Sequence, residues 1–236
     1  WGTWLGAAAG AAWILAPGLL PLLSRVPGGT PEPGPAERGW LLLRAGEIWR
    51  FFERFVTAEN HFLPPDNWQE QPPVGLARRT SPTNLGLFLT SALAALDLGL
   101  TTPERVRPML EGFFASLSRL ERWHGHFYNW YDTARLCPLH PAYVSTVDSG
   151  NLAACLLAAA GGLQEYGFDA LARQARTLYD EMELGRLYDA QRRLFSIGFD
   201  AEKGRLSASW YDLLSSEARL TAYLAVARGD VPRRCW

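Results

Sequence analysis

Four carboxylates set among aromatic rings carry the chemical interest of this chain. Glu217, Asp148, Asp132 and Asp212 keep company with Asn67, Trp68, Asn129, Trp130, Tyr131, Tyr143, Trp210 and Tyr211. The densest stretch is GHFYNWYDT, residues 125–133, where Phe127, Tyr128, Trp130 and Tyr131 are interleaved with Asn129 and closed by Asp132. A sugar offers apolar faces that stack on rings and hydroxyls that want Asn, Asp or Arg partners, and this alternation serves both needs. Glycosidic chemistry also requires a carboxylic acid to protonate a leaving oxygen and a second carboxylate as base or nucleophile. Each residue has a structural reading as well. Asp148 and Asp212 suit helix N-caps, Glu217 suits an ion pair with an arginine one or two turns away, and the rings of 127–131 suit core packing. Arg78 and Arg79 suit ion pairs at a rim.

Other chemistries find little footing. The chain has no glycine-rich dinucleotide or phosphate loop, no Gly-x-Ser-x-Gly and no His-Glu-x-x-His. A formal net charge of −1 gives no electrostatic grip on nucleic acid. His124 and His126 lack further ligands nearby, and Cys137, Cys155 and Cys235 have no metal-ligand spacing, so neither metal nor cofactor is expected. An odd cysteine count without a disulfide framework leans towards a reducing compartment.

The elements that would position these residues are mostly helical. Over 37–58 Leu41, Ala45, Ile48, Phe52 and Phe55 recur at helical spacing. Ser81-Pro82 starts a helix to about 98, and Thr102-Pro103-Glu104 starts one to about 121. Further helices fit 148–165, 168–185 and 210–228, the last enclosing Glu217. Strands fit around 126–131 and in a hairpin over 192–206 turned by Glu202-Lys203-Gly204.

Three of the helices resemble one another. Asn84, Asn151 and Glu217 follow one another at 67 and 66 positions, each behind a polar cluster, and Ala92, Ala159 and Ala225 come eight positions on. Small, aliphatic second members of helix hairpins are what a ring of paired helices needs. The expected fold is all-α, an incomplete (α/α)6 toroid of about three helix hairpins with short β-hairpin insertions. Long loops over 60–80, 122–147 and 192–206 lead into the inner helices at one mouth, where sites are built.

Residues 1–23 carry no charge and are long enough for a transmembrane helix, anchored by Trp1, Trp4 and Trp13. The Pro/Gly-rich run 24–36 reads as a linker. The soluble domain is then 37–236.

Six stretches together are specific: LPPDNWQE, RTSPTNLGL, GHFYNWYDT, VDSGNLA, RRLFSIGF and YDLLSSEARL. In this order, from Trp40 to Trp236, they resemble the glycoamylase-like domain of bacterial cyclic β-1,2-glucan synthases. The resemblance implies the toroid and a transglycosylase that closes linear β-1,2-glucan into a ring. It also implies a bacterial inner-membrane parent with further domains and a cytoplasmic soluble part. Glu217, in SEARL, is the expected catalytic carboxylate. Asn67, Trp68, Arg79, Asn84, Asn129, Trp130, Tyr131, Asp132, Asp148, Asn151, Tyr211 and Asp212 are the expected glucose-binding residues. The family pattern carries a second glutamate, in a Trp-Gly-Ile-Ser-Glu segment beyond SEARL that this chain lacks, and it has other residues where Trp68 and Gln71 stand here. On that ground the chain alone is expected to be an inactive piece of its parent. A β-glucan hydrolase and a non-catalytic, membrane-tethered glucan-binding module are the alternatives.

Overall fold

The computed structural model describes residues 2–23, 32–212 and 217–235. Its helices are α1 (Gly2–Leu23), α2 (Pro35–Phe55), α3 (Pro82–Asp97), α4 (Pro103–Leu117), α5 (Thr146–Glu165), α6 (Asp169–Glu181) and α7 (Arg219–Arg228). Most of the expected linker, 24–31, lies outside the described residues, and the chain is already helical from Pro35. Two compact units divide the chain, Trp1–Leu41 and Leu42–Trp236.

In the first unit, α1 leaves Trp4, Trp13, Ile14 and Leu15 exposed. Among the described residues no helix is long and apolar enough to cross a membrane, and the transmembrane span expected at 1–23 is not shown.

The second unit is built on α5, which lies along α3 on one side and α7 on another, with α6 also packed against it and α4 beside α6. The helix starts follow the caps read from sequence. Ser81 Oγ accepts the Asn84 N–H at 3.2 Å, with Pro82 in the first turn. Ser145 caps α5 by accepting the Asp148 N–H at 3.2 Å, which places Asp148 in the first turn and not at the cap. The repeated alanines Ala92, Ala159 and Ala225 are all 0% exposed, within the core that α3, α5 and α7 share. Glycines allow the closest approaches: a Cβ on Gly86 would lie 2.9 Å from Cys155 Cβ, and one on Gly150 would overlap Thr221. Thr221 donates its hydroxyl to Thr146 O at 2.8 Å, joining α7 to the start of α5. A line of rings ties α2 to α3 and α4, with Phe52–Phe88 at 5.7 Å and Phe88–Phe113 at 5.0 Å.

Strand pairing is more extensive than expected and knits the loops to one another. The 198–206 hairpin forms, its turn closed by Asp200 Oδ1 accepting the Lys203 N–H at 3.0 Å and by Gly204 at φ +62°. Its first strand also pairs with 143–145. Another ladder sets Arg79 opposite Asp132 and Thr80 opposite Tyr131, so two stretches far apart in sequence share one sheet.

The helix expected over 210–228 begins only at Arg219. Trp210 bridges Ser196, and the Tyr211 N–H donates to Phe195 O at 3.0 Å, so both residues spend their backbone on the sheet. Residues 213–216 of the YDLLSSEARL stretch lie outside the described residues. The helix ends at Gly229, whose φ of +79° makes the left-handed cap that glycine adopts without strain.

Candidate functional site

The first turns of α3 and α5 meet through one threonine. Thr83 donates its hydroxyl to Asp148 Oδ1 at 2.6 Å and accepts Asn151 Nδ2 at 3.1 Å. Asn129 takes the other carboxylate oxygen. With its amide turned to satisfy both ends, it donates to Asp148 Oδ2 at 3.0 Å and accepts from Trp130 Nε1 at 3.2 Å. The Asn129 backbone is fixed in turn, its N–H donating to Tyr143 O at 2.6 Å. Asp148 thus accepts at both oxygens and lies in the first turn of α5, where the helix dipole favours an anion.

Trp130 continues the network outward. Its ring lies under Arg79, whose guanidinium carbon is 4.4 Å from the ring centroid. Arg79 Nε and Nη2 donate to Asp66 Oδ2 at 3.1 and 2.9 Å. Asp66 also accepts Asn67 Nδ2 at 3.0 Å and Asn84 Nδ2 at 3.4 Å. One connected chain therefore runs from Asn84 through Asp66, Arg79, Trp130, Asn129 and Asp148 to Thr83 and Asn151. It offers a ring for stacking, a half-exposed guanidinium and a carboxylate, which is the equipment for holding a sugar.

Burial, then the Glu217 charge, with Tyr143 and Asp148 adding, pushes the Tyr211 hydroxyl above the ordinary tyrosine range. Contrary to its expected place two turns into a helix, Glu217 is exposed in the turn just before α7.

Other expected site residues have partners within the fold or lie at its surface. Tyr131 is 0% exposed; its hydroxyl donates to Glu121 O at 2.6 Å and accepts the Tyr128 N–H at 2.7 Å. Asp132 closes a turn, its Oδ1 accepting the Ala134 and Arg135 N–H groups at 2.8 and 3.0 Å. Trp68 faces the end of α2, stacked on Phe55 at 5.4 Å with Arg54 over its ring at 4.9 Å. Asp212 is exposed beside Tyr211. Asp66 and Thr83 were not singled out from sequence, although both lie inside the quoted stretches LPPDNWQE and RTSPTNLGL.

The histidine pair is also structural. His126 is buried, Nε2 donating to Glu183 O at 3.1 Å because a carbonyl can only accept, which leaves Nδ1 to accept from Ser149 Oγ at 3.0 Å. Burial pushes its pKa down to about 4. His124 lies 3.3 Å from Glu183 Oε1. Among the described residues no group of three or more His, Cys, Asp or Glu could hold a metal ion.

The chain is 28% identical, over 81% of its length, to the cyclic β-(1,2)-glucan synthase NdvB of Rhizobium meliloti (strain 1021), and it spans 11% of that relative's length. No family model matches it. Among solved structures it is similar to a β-1,2-glucanase from Parabacteroides distasonis (TM-score 0.68, 15% identity, 84% of this chain and 28% of that one). An endo-β-1,2-glucanase from Chitinophaga pinensis, in complex with sophorotriose and glucose, gives a TM-score of 0.63 at 14% identity over 79% of this chain and 47% of that one. The Talaromyces funiculosus endo-β-1,2-glucanase with sophorose gives 0.54 at 11% identity over 82% and 50%. At such identities these likenesses show the fold, and the resemblance to cyclic β-1,2-glucan synthases read from the sequence holds over most of the chain.

Proposed function

We propose that this chain is a β-1,2-glucan-acting domain whose glucan lies across the Arg79-backed ring of Trp130 and reaches Asp148 and Glu217. The observation that carries the reading is the join between stacking platform and acid. Trp130 is bonded through Asn129 to Asp148. Support comes from the cyclic β-(1,2)-glucan synthase relative and from a fold shared with β-1,2-glucanases.

The reaction is glycosyl transfer within the glucan. A β-1,2 bond breaks, the leaving sugar oxygen takes a proton from a carboxylic acid, and a hydroxyl of the same chain, giving its proton to a carboxylate, forms the new bond at the anomeric carbon. Ring closure is transfer to the glucan's own end, and hydrolysis is transfer to water. Glu217 is the carboxylate we assign to this chemistry. A glucan-holding role without catalysis is favoured by one observation: Glu217 is exposed, whereas a carboxylic acid kept protonated for catalysis is ordinarily enclosed.

The deciding experiment incubates the protein in its natural full length, as wild type and as Glu217→Gln, with linear β-1,2-glucan, followed by mass spectrometry. Cyclic products one water lighter than linear glucans of equal length, lost in the variant, support ring-closing transfer. Shorter linear products make it a hydrolase. Binding without turnover in the wild type leaves the holding module, and neither binding nor turnover sinks the reading.

A further inference from the structure

Resting on the glucan reading above, we infer that Thr83 is a positioning residue, its hydroxyl setting the orientation in which Asp148 meets the sugar. The residue stands on α3, whereas its two partners, Asp148 and Asn151, stand on α5. At 2.6 Å the bond to Asp148 Oδ1 is short, as expected for a hydroxyl donating to a carboxylate. Because Thr83 Oγ1 also accepts Asn151 Nδ2 at 3.1 Å, its donor and acceptor roles are both assigned and the hydroxyl is not left to rotate.

Two further features make this arrangement stiff. The helices that carry the two residues are held close, since Gly86, less than one turn along α3, leaves room for Cys155 that any Cβ would take. Asn129 holds the second carboxylate oxygen from a separate loop, so Asp148 is gripped from two elements at once. Each carboxylate oxygen keeps another lone pair for a sugar hydroxyl. Removing the Thr83 hydroxyl frees one end of the carboxylate and leaves the other tethered, so Asp148 can swing away from its working orientation without any change in fold.

The test measures affinity for linear β-1,2-glucan by titration calorimetry, and thermal melting, in the full-length protein. Thr83→Val keeps the shape and removes the hydroxyl; the expected result is about tenfold weaker binding, the scale of one lost hydrogen bond to a charged group. Thr83→Ser should restore binding to within about twofold. In an Asp148→Asn background Thr83→Val should add no further loss, because it acts through that carboxylate. Thr83→Ala is a second hydroxyl-free variant should the valine fail to fold. Wild-type affinity in a folded hydroxyl-free variant overturns the proposal alone, as does equal loss in Thr83→Ser and Thr83→Val. A wild-type protein that does not bind the glucan overturns the underlying reading and this inference with it.

Discussion

The guanidinium of Arg79 lies 4.4 Å from the centroid of the Trp130 ring while two of its nitrogens are bonded to Asp66. One face of the indole is thereby occupied, and under the proposed reading an apolar sugar face stacks on the other. Trp130→Ala is expected to weaken β-1,2-glucan binding about tenfold, or ~1.4 kcal/mol, with little change in melting temperature. Asp66→Asn should give a smaller loss of the same kind, because it loosens Arg79 and not the ring. Tryptophan fluorescence titrated with glucan checks both; an unchanged affinity in Trp130→Ala would remove the platform from the site.

Its sequence neighbour should behave in the opposite way. Tyr131 is enclosed, and its hydroxyl serves Glu121 O and the Tyr128 N–H. Tyr131→Phe leaves the buried Tyr128 N–H, and Glu121 O beside it, without their partner, at a cost of about 1–3 kcal/mol of stability. Urea unfolding should show that loss, and glucan affinity should stay at the wild-type value. A loss of affinity without a loss of stability would return Tyr131 to the binding surface.

The contrast between Trp130 and Tyr131 shows what a single sequence conveys here. Both lie in one aromatic stretch, and their types alone do not say which ring turns inward; the ladder that pairs Thr80 with Tyr131 decides it. Local signals were readable. Ser81-Pro82 and Thr102-Pro103 open helices where expected, and the repeated alanines mark the core that α3, α5 and α7 share. Non-local signals were not. The start of α7 is displaced because Trp210 and Tyr211 bond to residues 195 and 196, and no local propensity encodes that. Thr83 escaped notice for the same reason, its carboxylate partner being 65 positions away. The glucan resemblance was legible because six motif stretches keep their order, whichever of their residues point into the site.

Close helix packing gives a third expectation. A Cβ at Gly150 would overlap the Thr221 side chain and come against its backbone. Gly150→Ala must therefore push α7 off α5 and break the bond from Thr221 to Thr146 O. Overpacking of this kind costs about 1–3 kcal/mol, and the lost hydrogen bond adds to it. Because Glu217 stands two positions ahead of α7, glucan turnover should fall more steeply than stability. Gly162→Ala is the control, since the Cβ there meets only the ends of the Leu93 side chain, which can turn aside. Equal effects from the two substitutions would argue against a special constraint at Gly150.

Acid should reach the fold through His126. Its ring is buried between Ser149 and Glu183 O, and desolvation lowers its pKa from 6.5 to about 4. The folded state therefore binds fewer protons than the unfolded state over that window, so stability rises with pH there. Above about pH 6.5 the full contribution is present; as pH falls it is lost, and below about pH 4 the loss is complete, near 3 kcal/mol in all. Between pH 7 and pH 5, before most carboxylates take up protons, about 2 kcal/mol should disappear. Urea unfolding at the two pH values measures it, and long-range proton–nitrogen spectra should show His126 protonated at Nε2 alone throughout. A His126 ring that charges near pH 6.5 in the folded protein would mean that its site is wet, with Nδ1 then donating to the Ser149 hydroxyl.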